Sequence, residues 1–151
     1  MEVFVHLDGT TEVKRHRVEL VDTTGTLIRQ FGDKNSQVWR RSATEPLAAD
    51  DFLVEFGVME NDHLHICSCR HIKLQVRHGA DVKDAEFSPA AMVSSLVSWA
   101  TGPQGFNLAP SGQRQILRVC GTRLVPEPET HLGSLAKDCV LCIELDQDES
   151  C

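Results

Sequence analysis

Apolar and polar residues alternate in short runs separated by turn residues, and this pattern passes along the chain twice. In the first pass, Val3-Phe4-Val5-His6-Leu7 predicts a strand, Asp8-Gly9 is a strong hairpin signal, and residues 12–20 predict the return strand. Residues 22–31 predict a short helix. Asp22 or Thr23 caps it, Leu27 and Phe31 share one face, Gly32 stops it, and Gly25 weakens it. Residues 37–41 predict a third strand. Phe52, Leu53, Val54, Phe56 and Val58 then lead to a closing strand, His63-Leu64-His65-Ile66-Cys67.

The second pass repeats that order. Ile72, Leu74 and Val76 alternate with Lys73, Gln75 and Arg77, a turn follows at residues 78–81, and residues 82–87 return. Ser88 reads as a helix cap and Pro89 as the first helical residue. Met92, Val93, Leu96, Val97 and Ala100 form the apolar stripe, and Gly102-Pro103 ends it. Residues 116–119 and 140–145 predict the last two strands. A strand-strand-helix-strand-strand unit of about 70 residues, used twice, gives an α+β chain of two small domains near the lower size limit for an autonomous core. The predicted division is 1–68 for the first domain, 69–71 for a short linker and 72–151 for the second. That linker lacks the Gly and Ser content of a free tether, so the two lobes are expected to touch.

Composition narrows the function classes. The net charge of −7 gives no basic footprint for nucleic acid, and no apolar run reaches the roughly 18 residues of a membrane span. The N-terminus lacks a signal-peptide pattern, so a cytoplasmic protein is expected. Its six cysteines are then expected as thiols rather than disulfides. No motif of an enzyme class occurs. Cys120 and His78 have nothing to orient them as a nucleophile and base, and the glycines sit at turns rather than in a phosphate loop. His63, His65 and Cys67 fall on one strand face. Their spacing is not the usual zinc form, and with Leu64 and Ile66 taking the core the histidines are expected to face solvent, so no metal is assigned.

Three stretches carry a family resemblance. The segment from Leu53 through Glu55, Phe56, Val58 and Asp62 to Leu64-His65-Ile66 resembles the closing segment of ubiquitin. Leu117-Arg118-Val119-Cys120-Gly121-Thr122-Arg123-Leu124 resembles ubiquitin's third strand and the glycine turn after it. Leu135, Leu141, Ile143 and Leu145 match the end of that fold. The chain therefore resembles tandem ubiquitin-like modifiers: the interferon-induced two-domain protein of vertebrates and, more closely, the BilA-type modifiers of bacterial antiphage operons. The fold implied is two tandem ubiquitin-like β-grasp domains.

The resemblance also implies a function. An E1-like activating enzyme would use ATP to adenylate the C-terminus, an E2-like enzyme would receive it, and a metalloprotease-type deconjugase would release it from protein targets. The chain itself would hold no cofactor. The conjugation tail would be Asp146, Gln147, Asp148, Glu149, Ser150 and Cys151, with Leu145 as the last core residue. The partner-binding patch would comprise His78, Arg118, Gly121 and Glu144, where Arg118 and Glu144 stand at aliphatic positions of ubiquitin's patch. The sequence departs from the family in lacking a terminal Gly-Gly. Three readings of that end stay open: an unusual native terminus, a truncated precursor, or an engineered chain with cysteine as a trapping handle. The alternative function is a non-conjugated adaptor or scaffold.

Overall fold

The computed structural model describes residues 1–48, 50–108 and 115–147. The elements are β1 (Glu2–Leu7), β2 (Val13–Arg17), α1 (Thr24–Phe31), β3 (Gln37–Arg40), β4 (His63–Cys67) and β5 (Ile72–His78). They continue as β6 (Asp81–Phe87), α2 (Val93–Thr101), β7 (Gln115–Val119), α3 (Leu132–Leu135) and β8 (Val140–Gln147). They form two four-stranded mixed sheets, ordered β2-β1-β4-β3 and β6-β5-β8-β7. The central pairs β1–β4 and β5–β8 are parallel and the others antiparallel. The chain is thus two tandem β-grasp domains. No helix among the described residues is long and apolar enough to cross a membrane.

Each sheet buries one face against its own apolar cluster. In the first, Val3 and Val5 of β1, Val38 of β3 and Leu64 and Ile66 of β4 close on Leu27 of α1. In the second, Ile72, Leu74 and Val76 of β5 and Leu141 and Ile143 of β8 close on Leu96 and Ala100 of α2. The period-two pattern of the strands therefore selects the buried face in both lobes. Thr23 caps α1 in a reciprocal box with Thr26, and the Gly32 amide closes the last turn on the Ile28 carbonyl. Trp39, Cys67 and Cys69 lie outside this symmetry, because they join the second lobe's cluster from the first half of the chain.

Three expectations change. The second helix begins at Val93, not Pro89, with Met92 as its cap. The backbone before it is engaged elsewhere: the carbonyls of Pro89, Ala90 and Ala91 accept from Gly133, Ser42 and Leu132 at 2.9, 2.9 and 2.8 Å. Carbonyls bonded across the fold are not available to a first helical turn. The last strand runs two residues past Leu145, with Asp146 opposite Ile116 and Gln147 opposite Gln115. Finally, the expected thiols are replaced by the disulfides Cys69–Cys139 and Cys120–Cys142, leaving Cys67 free among the described residues. The pairs have Cα separations of 5.6 and 5.4 Å, within bridging range, and the first joins residues 70 apart that only the folded topology brings together.

Leu27 and Leu96 are completely buried in separate clusters. Leu27→Ala and Leu96→Ala are each expected to cost about 2–5 kcal/mol of stability. With no shared neighbours, the two losses should add in the double variant. Denaturant titration of the three variants measures this, and one indivisible core would instead produce strong non-additivity.

Candidate functional site

The outer face of the second sheet carries Arg118 and Glu144 of the expected partner-binding patch, whereas His78 falls in step with the buried Ile72, Leu74 and Val76 of β5 and so on the core-facing side. Arg118 of β7 stands in register with Glu144 of β8, and Glu144 is also in register with Arg77 of β5. The Arg118 guanidinium contacts the Asp146 carboxylate at 3.3 Å. Two cations and two carboxylates therefore alternate across three neighbouring strands. An exposed pair of this kind adds little to stability, whereas its charge pattern discriminates among partners. His78 closes β5 with Nδ1 3.4 Å from the Leu145 carbonyl and its ring 5.3 Å from that of Phe106. Gly121 turns the chain after β7 at φ +73°, a region that favours glycine. Along the strands His78 and Gly121 lie at opposite ends of the sheet, because β5 and β8 are parallel while β7 is antiparallel to β8, so the expected patch is not brought together as one surface.

Of the expected tail, Asp146 and Gln147 are paired residues of β8, and Asp148, Glu149, Ser150 and Cys151 lie outside the described residues. Cys120 has no free thiol, since it is bonded to Cys142 across the same outer face.

The outer face of the first sheet is covered. His6 follows Phe4 on β1, His63, His65 and Cys67 alternate along β4, and Trp39 lies beside His65 on β3. Instead of facing solvent as expected, His65 is fully buried and Cys67 almost so. The second lobe lies over them and supplies His131 and Gly133. The ring of His131 stacks on His6 with centroids 3.7 Å apart, and its Nδ1 is 3.1 Å from Nδ1 of His65. A β-carbon at Gly133 would collide with Nε2 of His65, so only glycine permits this approach.

The hydrogen-bond directions here are determined by donor chemistry. Nε of Arg41 can only donate, and it lies 3.1 Å from Nε2 of His131, which must accept. The His131 proton is then on Nδ1 and is donated to Nδ1 of His65. His65 consequently carries its proton on Nε2 and donates to Asp8 Oδ1 at 3.1 Å. Arg41, His131, His65 and Asp8 form one directed relay across the lobe junction. Burial holds His131 well below the ordinary histidine range, helped by the neighbouring His6 and His65. Burial also lowers His6, to about 3, with His63 and Arg41 contributing. Desolvation raises the Cys67 thiol, and the Asp8 carboxylate raises it further.

Asp8, His65 and Cys67 are also the one group of possible metal donors among the described residues, with ligand atoms all within 4.8 Å of one another. The sequence reading paired His63 with His65 and Cys67 but missed Asp8, His6, Arg41 and His131. The alternation His6-x-Asp8 was a usable signal, since a β-grasp sheet pairs β1 parallel to β4 and sets His6 beside His65. Nothing local marks Arg41 or His131, which enter only through lobe packing.

Residues 73–147 match the family described as BilA ubiquitin-like domain 2. The match spans the second sheet from the second residue of β5 to the end of β8. No curated protein matches the chain.

The buried histidines predict an acid-labile junction. Burial holds His6, His63 and His131 below the ordinary histidine value of 6.5, so the unfolded chain binds protons that the native chain excludes. Their contribution to stability is complete above pH 6.5 and is lost as pH falls toward the folded value, about 3 for His6. The slope approaches about 1.4 kcal/mol per pH unit for each histidine held neutral. Urea titrations from pH 7.5 down to pH 4.5 (range chosen to span ~6.5, the free-histidine value) measure it, and His6→Phe should flatten the curve. An unchanged slope in that variant would remove His6 from the account.

Proposed function

Because this chain belongs to the BilA-type ubiquitin-like proteins, we propose that it is a protein modifier whose C-terminus is activated and joined to target proteins. An E1-like enzyme adenylates the terminal carboxylate with ATP, an E2-like enzyme takes it as a thioester, and a target amine receives it. A metalloprotease-type deconjugase reverses the attachment. The chain contributes recognition surface and a terminus, and its partners supply the chemistry and the nucleotide. The setting is defence against phage. Its acidic charge fits protein partners rather than nucleic acid or membrane.

The observation that carries this reading is the difference between the two outer sheet faces. The first is closed under the second lobe. The second stays open, with Arg77, Glu144, Arg118 and Asp146 arrayed on the strands beside and including β8, the strand that leads to the C-terminus. A partner that grips this face holds the strand preceding the reactive end. The polar strip also excludes receptors that need ubiquitin's aliphatic patch, because they would bury charges without partners.

The test is to mix the chain with a candidate E1-like enzyme and ATP, then read adenylate and thioester by intact mass. Arg118→Glu is expected to lower activation at least tenfold, by setting like charges together. Cys151→Gly is expected to be activated, and Asp148→Lys with Glu149→Lys is expected to fail. If no form is activated, the modifier reading falls and the non-conjugated adaptor stands.

A further inference from the structure

We infer that Asp8, His65 and Cys67 form a binding site for a zinc-class divalent ion at the lobe junction, and that loading it releases Arg41 from His131. Three donors of different chemistry converge there, with ligand atoms all within 4.8 Å of one another. His65 and Cys67 stand at alternate positions of the central strand β4, and Asp8 follows the end of β1 beside it. Tetrahedral bonds of 2.0–2.3 Å put ligand atoms roughly 3.3–3.8 Å apart. Asp8 and His65 lie at 3.1 Å, a few tenths of an ångström inside that spacing, so a small outward shift of the carboxylate admits the ion. Asp8 is 38% exposed, so its carboxylate has room to rotate inward and leaves an entry path for the ion.

A second observation concerns the sulfur. The Cys69 amide donates to Sγ of Cys67 at 3.1 Å, an arrangement that stabilises negative charge on sulfur. Thiolate with imidazole and carboxylate selects zinc or cobalt over magnesium or calcium. Three protein ligands leave the fourth position to water on the exposed Asp8 side.

The chemistry balances as follows. The Cys67 S–H bond breaks, its proton goes to solvent and a sulfur–metal bond forms. His65 stays neutral, but its proton moves by exchange from Nε2 to Nδ1, which frees the Nε2 lone pair for the ion. Nδ1–H of His65 then needs an acceptor, so His131 must shift its own proton to Nε2. That proton faces the Nε–H of Arg41, donor against donor, and the 3.1 Å contact between Arg41 and His131 cannot persist. Each ion therefore displaces one proton and opens one bond between the lobes.

The test is to titrate the oxidised full chain, with both disulfides kept and oxygen excluded, with Co²⁺ alone and then Zn²⁺. Expected are a single Co²⁺ per chain, a sulfur-to-cobalt charge-transfer band, displacement by Zn²⁺ and about one proton released per ion. Cys67→Ala should abolish the band, and Asp8→Asn, at a partly exposed position, should weaken binding tenfold or more. Arg41→Met removes the opposing donor and should tighten binding roughly tenfold, the worth of one hydrogen bond. A wild type that binds no ion, a band that survives Cys67→Ala, or an affinity unaltered by Asp8→Asn overturns the site. An affinity unaltered by Arg41→Met overturns its coupling to the lobe contact. None of these readouts requires the activating enzyme, so their failure is separate from failure of the modifier function.

Discussion

The burial of His65 between the two lobes is the constraint from which the rest of the architecture follows. It is completely inaccessible, it sits on the central strand of the first sheet, and both ring nitrogens are engaged, one by His131 and one by Asp8. A buried imidazole without partners would cost several kcal/mol relative to water. The cost is avoided only if the second lobe lies where His131 can reach it. Because Arg41 can only donate, the relay has one allowed direction, and the junction is specified by polarity as well as by shape. Trp39, Cys67 and Cys69 add apolar surface to the same contact.

Closing the first sheet in this way makes the tandem functionally asymmetric. Two copies of one topology offer two equivalent outer faces in principle, but one has become internal structure. The face proposed for recognition is thereby the second sheet, where Glu144 stands between Arg77 and Arg118 in register. Such pairs contribute little to folding, so their placement is free to follow the needs of a partner. The match to a ubiquitin-like domain family falls on this same lobe.

Local pattern made the two repeats legible. Ile72, Leu74 and Val76 fix a strand and its buried face by alternation alone, and Thr23 with Gly32 bounds the first helix by chemistry that lies within a few residues. The misjudged features all depend on distant contacts. Ser88-Pro89 is a good helix start in isolation, yet the carbonyls that follow serve Ser42, Leu132 and Gly133. Alternation correctly put His63, His65 and Cys67 on the face opposite Leu64 and Ile66, but it carries no information on whether that face meets water or another lobe. The cysteine pair 70 residues apart was hidden for the same reason.

Strand β8 connects these two regions. At its start, Cys139 is bonded to Cys69 of the linker, and the carbonyl of Cys139 accepts from the amide of Lys73 at 2.9 Å. Asp138 and Cys139 hold φ of 52° and 65°, a conformation that L residues adopt only when their surroundings impose it. The disulfide and the turn to Val140 supply that imposition. From there β8 runs eight residues, about 26 Å at 3.3 Å per residue, paired with β5 over Val140–Glu144 and with β7 over Ile143–Gln147. The two ladders overlap at Ile143 and Glu144, so position is handed from one neighbour to the other along the strand. The end that carries Glu144 and Asp146 is therefore set, through covalent and hydrogen-bonded steps, by the same junction that buries His65. Domain orientation and the presentation of the C-terminal strand are one structural property of this chain.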